Sequence, residues 1–92
     1  MPDALVRRRV VVHGLVQGVF FRDTLRRRAE SAGVAGWARN NPDGTVETAL
    51  EGEPEAVERV VGFVRRGPRG ARVERVEVVE EEPEGLSGFR VG

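Results

Sequence analysis

The chain alternates between short valine-rich runs and two longer stretches in which apolar residues recur at helical spacing. The short runs carry β-branched residues and are bounded by glycine, proline, asparagine or aspartate, which is typical of strands. Five such strands are predicted, and they are Val6–His13, Val34–Asn40, Thr45–Glu51, Arg72–Glu81 and Gly88–Val91. Because side chains alternate along a strand, Val10 and Val12 should share a buried face.

Two details refine the strand pattern. The segment Asn41–Gly44 contains Asn, Pro, Asp and Gly in succession, which predicts a hairpin between the second and third strands. In the fourth strand, Val73 and Val79 are out of phase with Val76 and Val78. That mismatch predicts either a β-bulge or a strand that is covered on both faces.

The two longer stretches predict amphipathic helices. The first runs from Arg22 to Ala32, where Leu25 and Ala29 form an apolar stripe and Gly33 follows as the C′ residue. The second begins at Pro54, which suits the first helical position, and ends before Gly67. Its apolar stripe is formed by Val57, Val60, Val61 and Val64.

The element order is β-α-β-β-α-β followed by a short terminal strand. This order predicts an α+β, ferredoxin-like fold in which both helices cover one face of an antiparallel sheet. Right-handed crossovers would place the first strand centrally, beside the third and fourth. We expect residues 1–92 to form a single domain, because 92 residues leave no room for a second core.

Composition removes several classes of chemistry. The chain has no cysteine and a single histidine, His13, so disulfides, thiolate catalysis and cysteine- or histidine-cluster metal sites are excluded. No apolar run approaches the roughly 20 residues that span a bilayer, and the N-terminus lacks the apolar core of a signal peptide. We therefore expect a cytoplasmic protein without a membrane partner.

Charge is balanced overall but unevenly distributed. Residues 1–44 contain 8 arginines against 4 acidic residues, and residues 45–92 contain 7 arginines against 11 glutamates. A total near zero argues against broad nucleic-acid binding, whereas the basic first half would attract a small anion.

That basic half contains the most informative stretch, Gly14–Arg22, between the first strand and the first helix. Gly14 and Gly18 allow positive φ, and the consecutive loop N–H groups before a helix N-terminus can form a concave anion site. Arg22 adds a planar fork of donors suited to phosphate oxygens. The alternative is an ordinary strand-to-helix connection.

Other residues have competing interpretations. Arg7–Arg9 could bind phosphate or nucleic acid, although the solvated start of a strand explains the triplet more simply. His13 could act as a base, but a lone histidine with no carboxylate in obvious reach is more often an exposed strand residue. Asp23 could be a catalytic acid, although its place in the first helical turn, where it complements the helix dipole, is a sufficient explanation. Trp37 could stack on a base or substrate, but a single Trp is usually a packing residue, and Asn40 resembles a turn residue when taken alone.

Without a nucleophilic side chain beside a base, the sequence favours binding and orientation over covalent catalysis. An anion-binding loop, one arginine and neutral polar groups could hold a phosphoryl group and orient water. Such a set suits a phosphate with a good leaving group, and a carboxylic–phosphoric anhydride is one.

Two segments resemble the signatures of the acylphosphatase family. Val12–Arg22 is similar to the pattern V-x-G-x-V-Q-G-V-x-[FY]-R, and Gly36–Glu47 contains G-W-x-[KR]-N-x-x-D-G-x-V. Glu51-Gly52, Gly67-Pro68 and Gly88-Phe89 also stand where this family tends to have them. The resemblance covers nearly the whole chain, in order and without a large gap.

The resemblance implies hydrolysis of a small-molecule acyl phosphate to a carboxylate and inorganic phosphate, without metal or cofactor. It assigns phosphate binding to Arg22 and to the loop amides of Gln17, Gly18, Val19, Phe20 and Phe21. It assigns the positioning of the attacking water to Asn40, so Arg22 and Asn40 are the expected catalytic residues. Leu15 replaces the Arg or Lys common in the family, which would weaken anion attraction at the rim of the loop, and Ala38 replaces a common Val.

Two alternatives remain open at this point. A ferredoxin-like module could bind phosphate-containing ligands or RNA without catalysis, although the few aromatic residues disfavour base stacking. An acylphosphatase-like domain could also serve a larger carbamoyl-transfer or maturation protein. The length of the chain favours a free-standing enzyme, and we expect it to be a monomer with no nucleic-acid partner.

Overall fold

The computed structural model describes residues 4–92, and seven elements follow one another along them. They are β1 (Val6–Leu15), α1 (Phe21–Ala32), β2 (Ala35–Asn40), β3 (Val46–Gly52), α2 (Pro54–Arg66), β4 (Arg72–Glu81) and β5 (Phe89–Val91). The predicted order and type of every element are confirmed. The boundaries differ by one or two residues, because β1 continues through Gly14 to Leu15 and α1 begins at Phe21.

The five strands form one sheet in the order β4-β1-β3-β2-β5. The central position of β1, beside β3 and β4, is confirmed. The predicted antiparallel pairing is confirmed for β1, β2, β3 and β4, but the sheet is mixed because β5 pairs parallel to β2. After β4 the chain crosses from one edge of the sheet to the other and then runs alongside β2. The Gly36 amide donates to the Gly88 carbonyl at 2.9 Å, and the Gly92 amide donates to the Ala38 carbonyl at 2.9 Å.

Both helices pack on one face of the sheet, as predicted, and the apolar core lies between these layers. Val10, Val12, Val46 and Leu50 contribute to it from the strands, and all four are fully buried. The helices contribute side chains that their stripes predicted, namely Leu25, Ala29, Val57, Val60, Val61 and Val64. Phe21 also joins the core, although the predicted helix began only at Arg22. Burial of these side chains positions the start of α1, and with it Arg22, against the end of the sheet.

The bulge predicted from the valine phases is present in β4. His13 pairs with Arg75 and Gly14 pairs with Val73, so Glu74 is the extra residue. Gly14 has φ 132°, and a Cβ built on it would lie 2.1 Å from the Arg72 carbonyl oxygen. Only glycine therefore allows this close approach at the point where β1 leads into the loop.

The face of the sheet opposite the helices carries charged residues that are buried. Arg7 is only 5% exposed, so its prediction as a solvated residue was wrong. Its guanidinium contacts Glu51 at 2.7 Å and Glu81 at 2.9 Å. Glu51 also accepts backbone N–H bonds from Glu84, Gly85 and Leu86, which fixes the connection between β4 and β5. We call the face of the sheet opposite the helices the open face.

Candidate active site

The loop between β1 and α1 has an unusual backbone. Gly18 has φ 76°, and Phe20 has φ 58°, which is the only positive φ of a non-glycine residue among residues 4–92. Phe20 is also the N-cap of α1, yet its side chain is 82% exposed. A bulky residue in the left-handed region costs about 1–3 kcal/mol, and such strain is concentrated at binding and catalytic sites. Val16 is buried and anchors the loop on the core.

The backbone N–H groups of residues 17–21 are available to a ligand. None of them donates a hydrogen bond to an acceptor among residues 4–92. The first helical N–H groups have no partner within a helix, and they add the positive end of the helix dipole. The Phe21 side chain is buried, so this residue can offer a ligand only its backbone N–H. These N–H groups are the donors on which the predicted anion site depends, and anion binding by them stays a prediction.

Arg22 and Asn40 line the same cavity, which has a volume of about 270 Å³. The remaining lining residues are Val16, Gly18, Phe20, Phe21, Asp23 and Val91. Nη1 of Arg22 donates a hydrogen bond to the Gly92 carbonyl oxygen. Among the described residues, no Asp or Glu side chain lies within 4 Å of the Arg22 guanidinium, so no acidic side chain neutralises its charge.

Asp23 is the one carboxylate at this cavity, and it is held as an ion. Arg26 donates to it at 2.7 Å, and Arg27 lies 3.0 Å from its second oxygen. The hydrogen bond from Arg26, helped by the charges of both arginines, lowers the pKa of Asp23 below its ordinary range. A carboxylate stabilised in this way is a weak base, which agrees with the structural role predicted at the helix start.

The two adjacent asparagines after Ala38 are distinguished by their surroundings. The Asn41 amide donates to Thr45 Oγ1 at 3.0 Å and to Glu47 Oε1 at 3.1 Å, so it supports the hairpin turn. The Asn40 side chain is exposed at the cavity and makes no hydrogen bond with residues 4–92. Asn40 therefore offers one donor group and one acceptor to a ligand or a water.

Gln17 connects the loop to the hairpin that carries Asn40. Its Nε2 donates to the Asn41 carbonyl at 2.8 Å and to the Thr45 carbonyl at 2.9 Å. Asp43 reinforces this turn by accepting from the Thr45 hydroxyl at 2.7 Å. That hydroxyl lowers the pKa of Asp43. The Gln17 side chain thus joins the two segments that hold the predicted catalytic residues.

The structure brings most of the predicted site together. Gly18, Phe20, Phe21, Arg22 and Asn40 line the cavity, whereas the Gln17 side chain turns to the hairpin. The Val19 side chain lies instead in a neighbouring cavity.

Sequence reasoning missed two features around the loop. Val91 reaches the site from the far end of the chain, and no local signal indicates that. The expectation that His13 has no carboxylate in reach was wrong, because Glu77 on β4 lies 2.5 Å from its Nε2.

Two further features are absent from the residues that the structure describes. Between Ala4 and Gly92 no group of three or more His, Cys, Asp or Glu side chains could hold a metal ion. No helix in the same range has the length and apolarity needed to cross a membrane.

Comparison with known proteins gives one consistent family. The acylphosphatase family model matches residues 8–91. An acylphosphatase of Thermococcus kodakarensis is 56% identical over 86 residues, which are 94% of each chain.

Solved structures give the same result. The crystal structure of acylphosphatase from Bacillus subtilis has a TM-score of 0.91 and 34% identity, covering 95% of this chain and 98% of that one. Full-length HypF has a TM-score of 0.91 over all of this chain and 12% of its own, but at 24% identity it shows only a shared fold.

Proposed function

The chain belongs to the acylphosphatase family, and we propose that the loop amides of residues 17–21 bind the phosphoryl group while Arg22 and Asn40 carry the hydrolysis. The enzyme hydrolyses small acyl phosphates, and the non-catalytic alternative is not favoured. The observation that supports the residue roles is the run of N–H groups without protein acceptors, beside a guanidinium and an amide that line one cavity.

The phosphoryl group would lie against the loop, with its oxygens accepting from the backbone N–H groups and from Arg22. Charge accumulates on those oxygens in the transition state, and fixed donors stabilise it without reorganising. Arg22 gives the bidentate geometry that phosphate oxygens favour. The hydrogen bond from Arg22 to the Gly92 carbonyl would hold the guanidinium at the mouth of the loop.

Asn40 would position the attacking water, because this residue lines the cavity and its side chain makes no hydrogen bond with residues 4–92. Attack of the water on phosphorus breaks the bond from phosphorus to the acyl oxygen. The electron pair of that bond leaves on the carboxylate, a good leaving group that needs no general acid. The proton lost by the water goes to a phosphoryl oxygen, since the one carboxylate at the cavity is held by Arg26 and Arg27.

The remaining proposals concern the state of the molecule. Residues 1–92 would form one domain, which the single apolar cluster shared by both helices and the sheet supports. The enzyme would work as a cytoplasmic monomer without metal, cofactor, nucleic-acid or membrane partners. Sedimentation at micromolar concentration and activity in the presence of a chelator test the monomer and the metal independence.

The first test is hydrolysis of benzoyl phosphate by wild-type protein and by Arg22→Gln. We expect Arg22→Gln to lower kcat/KM by about 10²–10³-fold and to abolish inhibition by inorganic phosphate, because the loop loses its main cation. Arg27→Gln is the matched control, since Arg27 lies on the same helix, is highly exposed and does not line the cavity. Unchanged kcat/KM in Arg22→Gln would contradict the assigned role.

The second test separates the binding of phosphate from the positioning of water. Asn40→Ala should lower kcat by about 10²-fold, which is typical of removing one positioned polar group, while the inhibition constant of phosphate stays near the wild-type value. Full activity in a folded Asn40→Ala protein would show that another group positions the water.

A further inference from the structure

A second cavity adjoins the phosphate-binding loop on the other side of Phe20. Its volume is about 380 Å³, and it lies between the loop, the middle of α1 and the segment that follows α2. Three arginines line it, and they are Arg28, Arg66 and Arg69. We call this cavity the arginine groove.

The arginine groove is electrostatically different from the catalytic cavity. The nine residues that line it include no acidic residue. Among residues 4–92, no carboxylate lies within 4 Å of the three guanidinium groups, whereas the catalytic cavity contains the Asp23 carboxylate. Three unneutralised guanidinium groups around one space create a positive potential that attracts an anion.

Packing fixes the position of the groove relative to the loop. The Arg28 guanidinium lies 4.9 Å from the centroid of the Phe63 ring, so these two lining residues of the groove pack against each other. Gly67 approaches Phe21 closely enough that an added Cβ would lie 3.3 Å from its ring. The end of α2 is therefore packed against the base of the phosphate-binding loop, and Phe20 borders both cavities.

A substrate held by its phosphoryl group must extend its acyl part away from the loop amides. The exposed ring of Phe20 lies between the two available spaces. An acyl group with a negative charge would be attracted by the guanidinium groups beyond Phe20, which have no acidic partner among residues 4–92. By contrast, Arg26 and Arg27 beside the catalytic cavity are already paired with Asp23. We infer that the arginine groove binds a second anionic group on the acyl part of the substrate, so acyl phosphates that carry a further carboxylate or phosphate are favoured. This inference rests on the proposed function of the loop.

The test compares substrates that differ only in that charge. Benzoyl phosphate is compared with 3-carboxybenzoyl and 4-carboxybenzoyl phosphate, which place the carboxylate at different distances from the phosphoryl group. We expect wild-type kcat/KM for the better carboxylated substrate to exceed that for benzoyl phosphate by about five- to tenfold at low salt. This size corresponds to a few partly exposed ion pairs. The preference should diminish at 0.5 M salt, where the Debye length is only a few ångströms.

The double variant Arg66→Gln/Arg69→Gln should remove the preference and leave kcat/KM for benzoyl phosphate unchanged. Arg65→Gln is the matched control, because Arg65 precedes Arg66 on the same helix, is exposed and does not line the groove. Arg28 is left intact since it also packs on Phe63. An unchanged preference in the double variant, or an equal loss in Arg65→Gln, overturns the inference.

A binding measurement separates failure of this inference from failure of the proposed function. Calorimetry with benzoylphosphonate and its 4-carboxy and 3-carboxy analogues gives a ratio of Kd values that does not depend on turnover. If wild-type protein hydrolysed none of the acyl phosphates but still bound a carboxylated phosphonate more tightly than benzoylphosphonate, only the proposed function would be contradicted. Hydrolysis of benzoyl phosphate without any preference, in rate or in Kd, would contradict the arginine groove alone.

The same groove could instead hold a separate small anion. Inorganic phosphate is therefore titrated into protein saturated with benzoylphosphonate. We expect no second phosphate to bind at millimolar concentration. Phosphate binding that disappears in the double variant, together with no preference for the carboxylated substrates, would identify a separate anion and overturn the inference.

Discussion

Arginine is abundant both on the open face of the sheet and at the end that carries the loop proposed to bind phosphate, but its surroundings differ. On the open face, Arg7, Arg9 and Arg39 each contact a glutamate within 4 Å. At the loop end, Arg26 and Arg27 pair with Asp23. The other guanidinium groups there have no Asp or Glu side chain within that distance among residues 4–92, and they are those of Arg22, Arg28, Arg66 and Arg69.

The difference separates two uses of one residue type. On the open face, charge is neutralised within the protein, so each arginine stabilises the fold and little potential extends into solvent. At the loop end, charge is left for a ligand, and the local potential is positive although the whole chain has a formal net charge of zero. A count of arginines along the sequence cannot make this distinction.

The largest stability effect is expected from Arg7→Gln. This change leaves Glu51 buried without its cation, and breaking such a pair costs about 3–5 kcal/mol in the free energy of unfolding. Urea unfolding measures the loss, and kcat/KM of the folded protein should stay close to wild type. Arg9→Gln, two residues along the same strand, is a more exposed control and should cost less than about 1 kcal/mol.

If Arg7→Gln lost activity without losing stability, the open face would be part of the catalytic machinery and the comparison would fail. If Arg22→Gln lowered stability as much as Arg7→Gln, the loop end would be structural as well.

Acid should weaken the open face first. Burial alone would raise the pKa of Glu51, but the Glu84 amide, the Arg7 guanidinium and two further amides outweigh it and lower the pKa. The same balance, with Asn41 and Arg39 as the donors, lowers the pKa of Glu47. A carboxylate whose pKa is depressed on folding contributes its full stabilisation above its unfolded pKa, near 4.5, and loses it as the pH falls through the folded value.

We therefore expect the free energy of unfolding to decrease below pH 4.5, measured by urea titration at pH 7, 5, 4 and 3. Glu51→Gln should be less stable at pH 7 and less sensitive to acid. An equally steep decrease in Glu51→Gln would assign the acid sensitivity to other carboxylates.

A smaller effect is expected where the loop joins the hairpin. Gln17→Met keeps the size of the side chain but removes the two hydrogen bonds to the Asn41 and Thr45 carbonyls. Each net hydrogen bond contributes about 0.5–1.5 kcal/mol, so we expect the free energy of unfolding to fall by about 1–3 kcal/mol. We also expect kcat/KM to fall by about tenfold, because Arg22 and Asn40 would no longer be held in register.

Steady-state kinetics with benzoyl phosphate and urea unfolding check these two expectations. Wild-type kcat/KM in Gln17→Met would mean that the loop and the hairpin hold their relative position without this connection.

The elements could be predicted because each follows from short-range rules. Alternation along the strand predicted the burial of Val10 and Val12, and helical spacing predicted the burial of Leu25 and Ala29. The turn residues predicted the hairpin. The pairing of β5 could not be predicted in the same way. Its direction depends on the path of residues 82–88, and that path is fixed by Glu51, more than thirty residues earlier in the chain.

The candidate site also combines features that follow from a short segment with features that depend on distant residues. The glycines, the consecutive N–H groups and Arg22 lie in one short segment, so the sequence alone indicated an anion site there. The choice between Asn40 and Asn41 needed the resemblance to the family. The structure now gives a physical reason, because Asn41 is occupied by Thr45 and Glu47 whereas Asn40 is exposed at the cavity.

The sequence by itself determined the order of the elements, the buried faces of both helices and the loop that we propose binds an anion. These properties depend on periodicity and on backbone freedom within a few residues. The tertiary structure decided which charges are neutralised. Arg7 forms its ion pair with Glu51 only after strands distant in sequence have paired. Likewise, Arg28 lines one cavity with Arg66 and Arg69 only after the two helices have packed together. Electrostatic energy depends on distance in space, so the arginines of the open face and those of the loop end become different only in the folded chain.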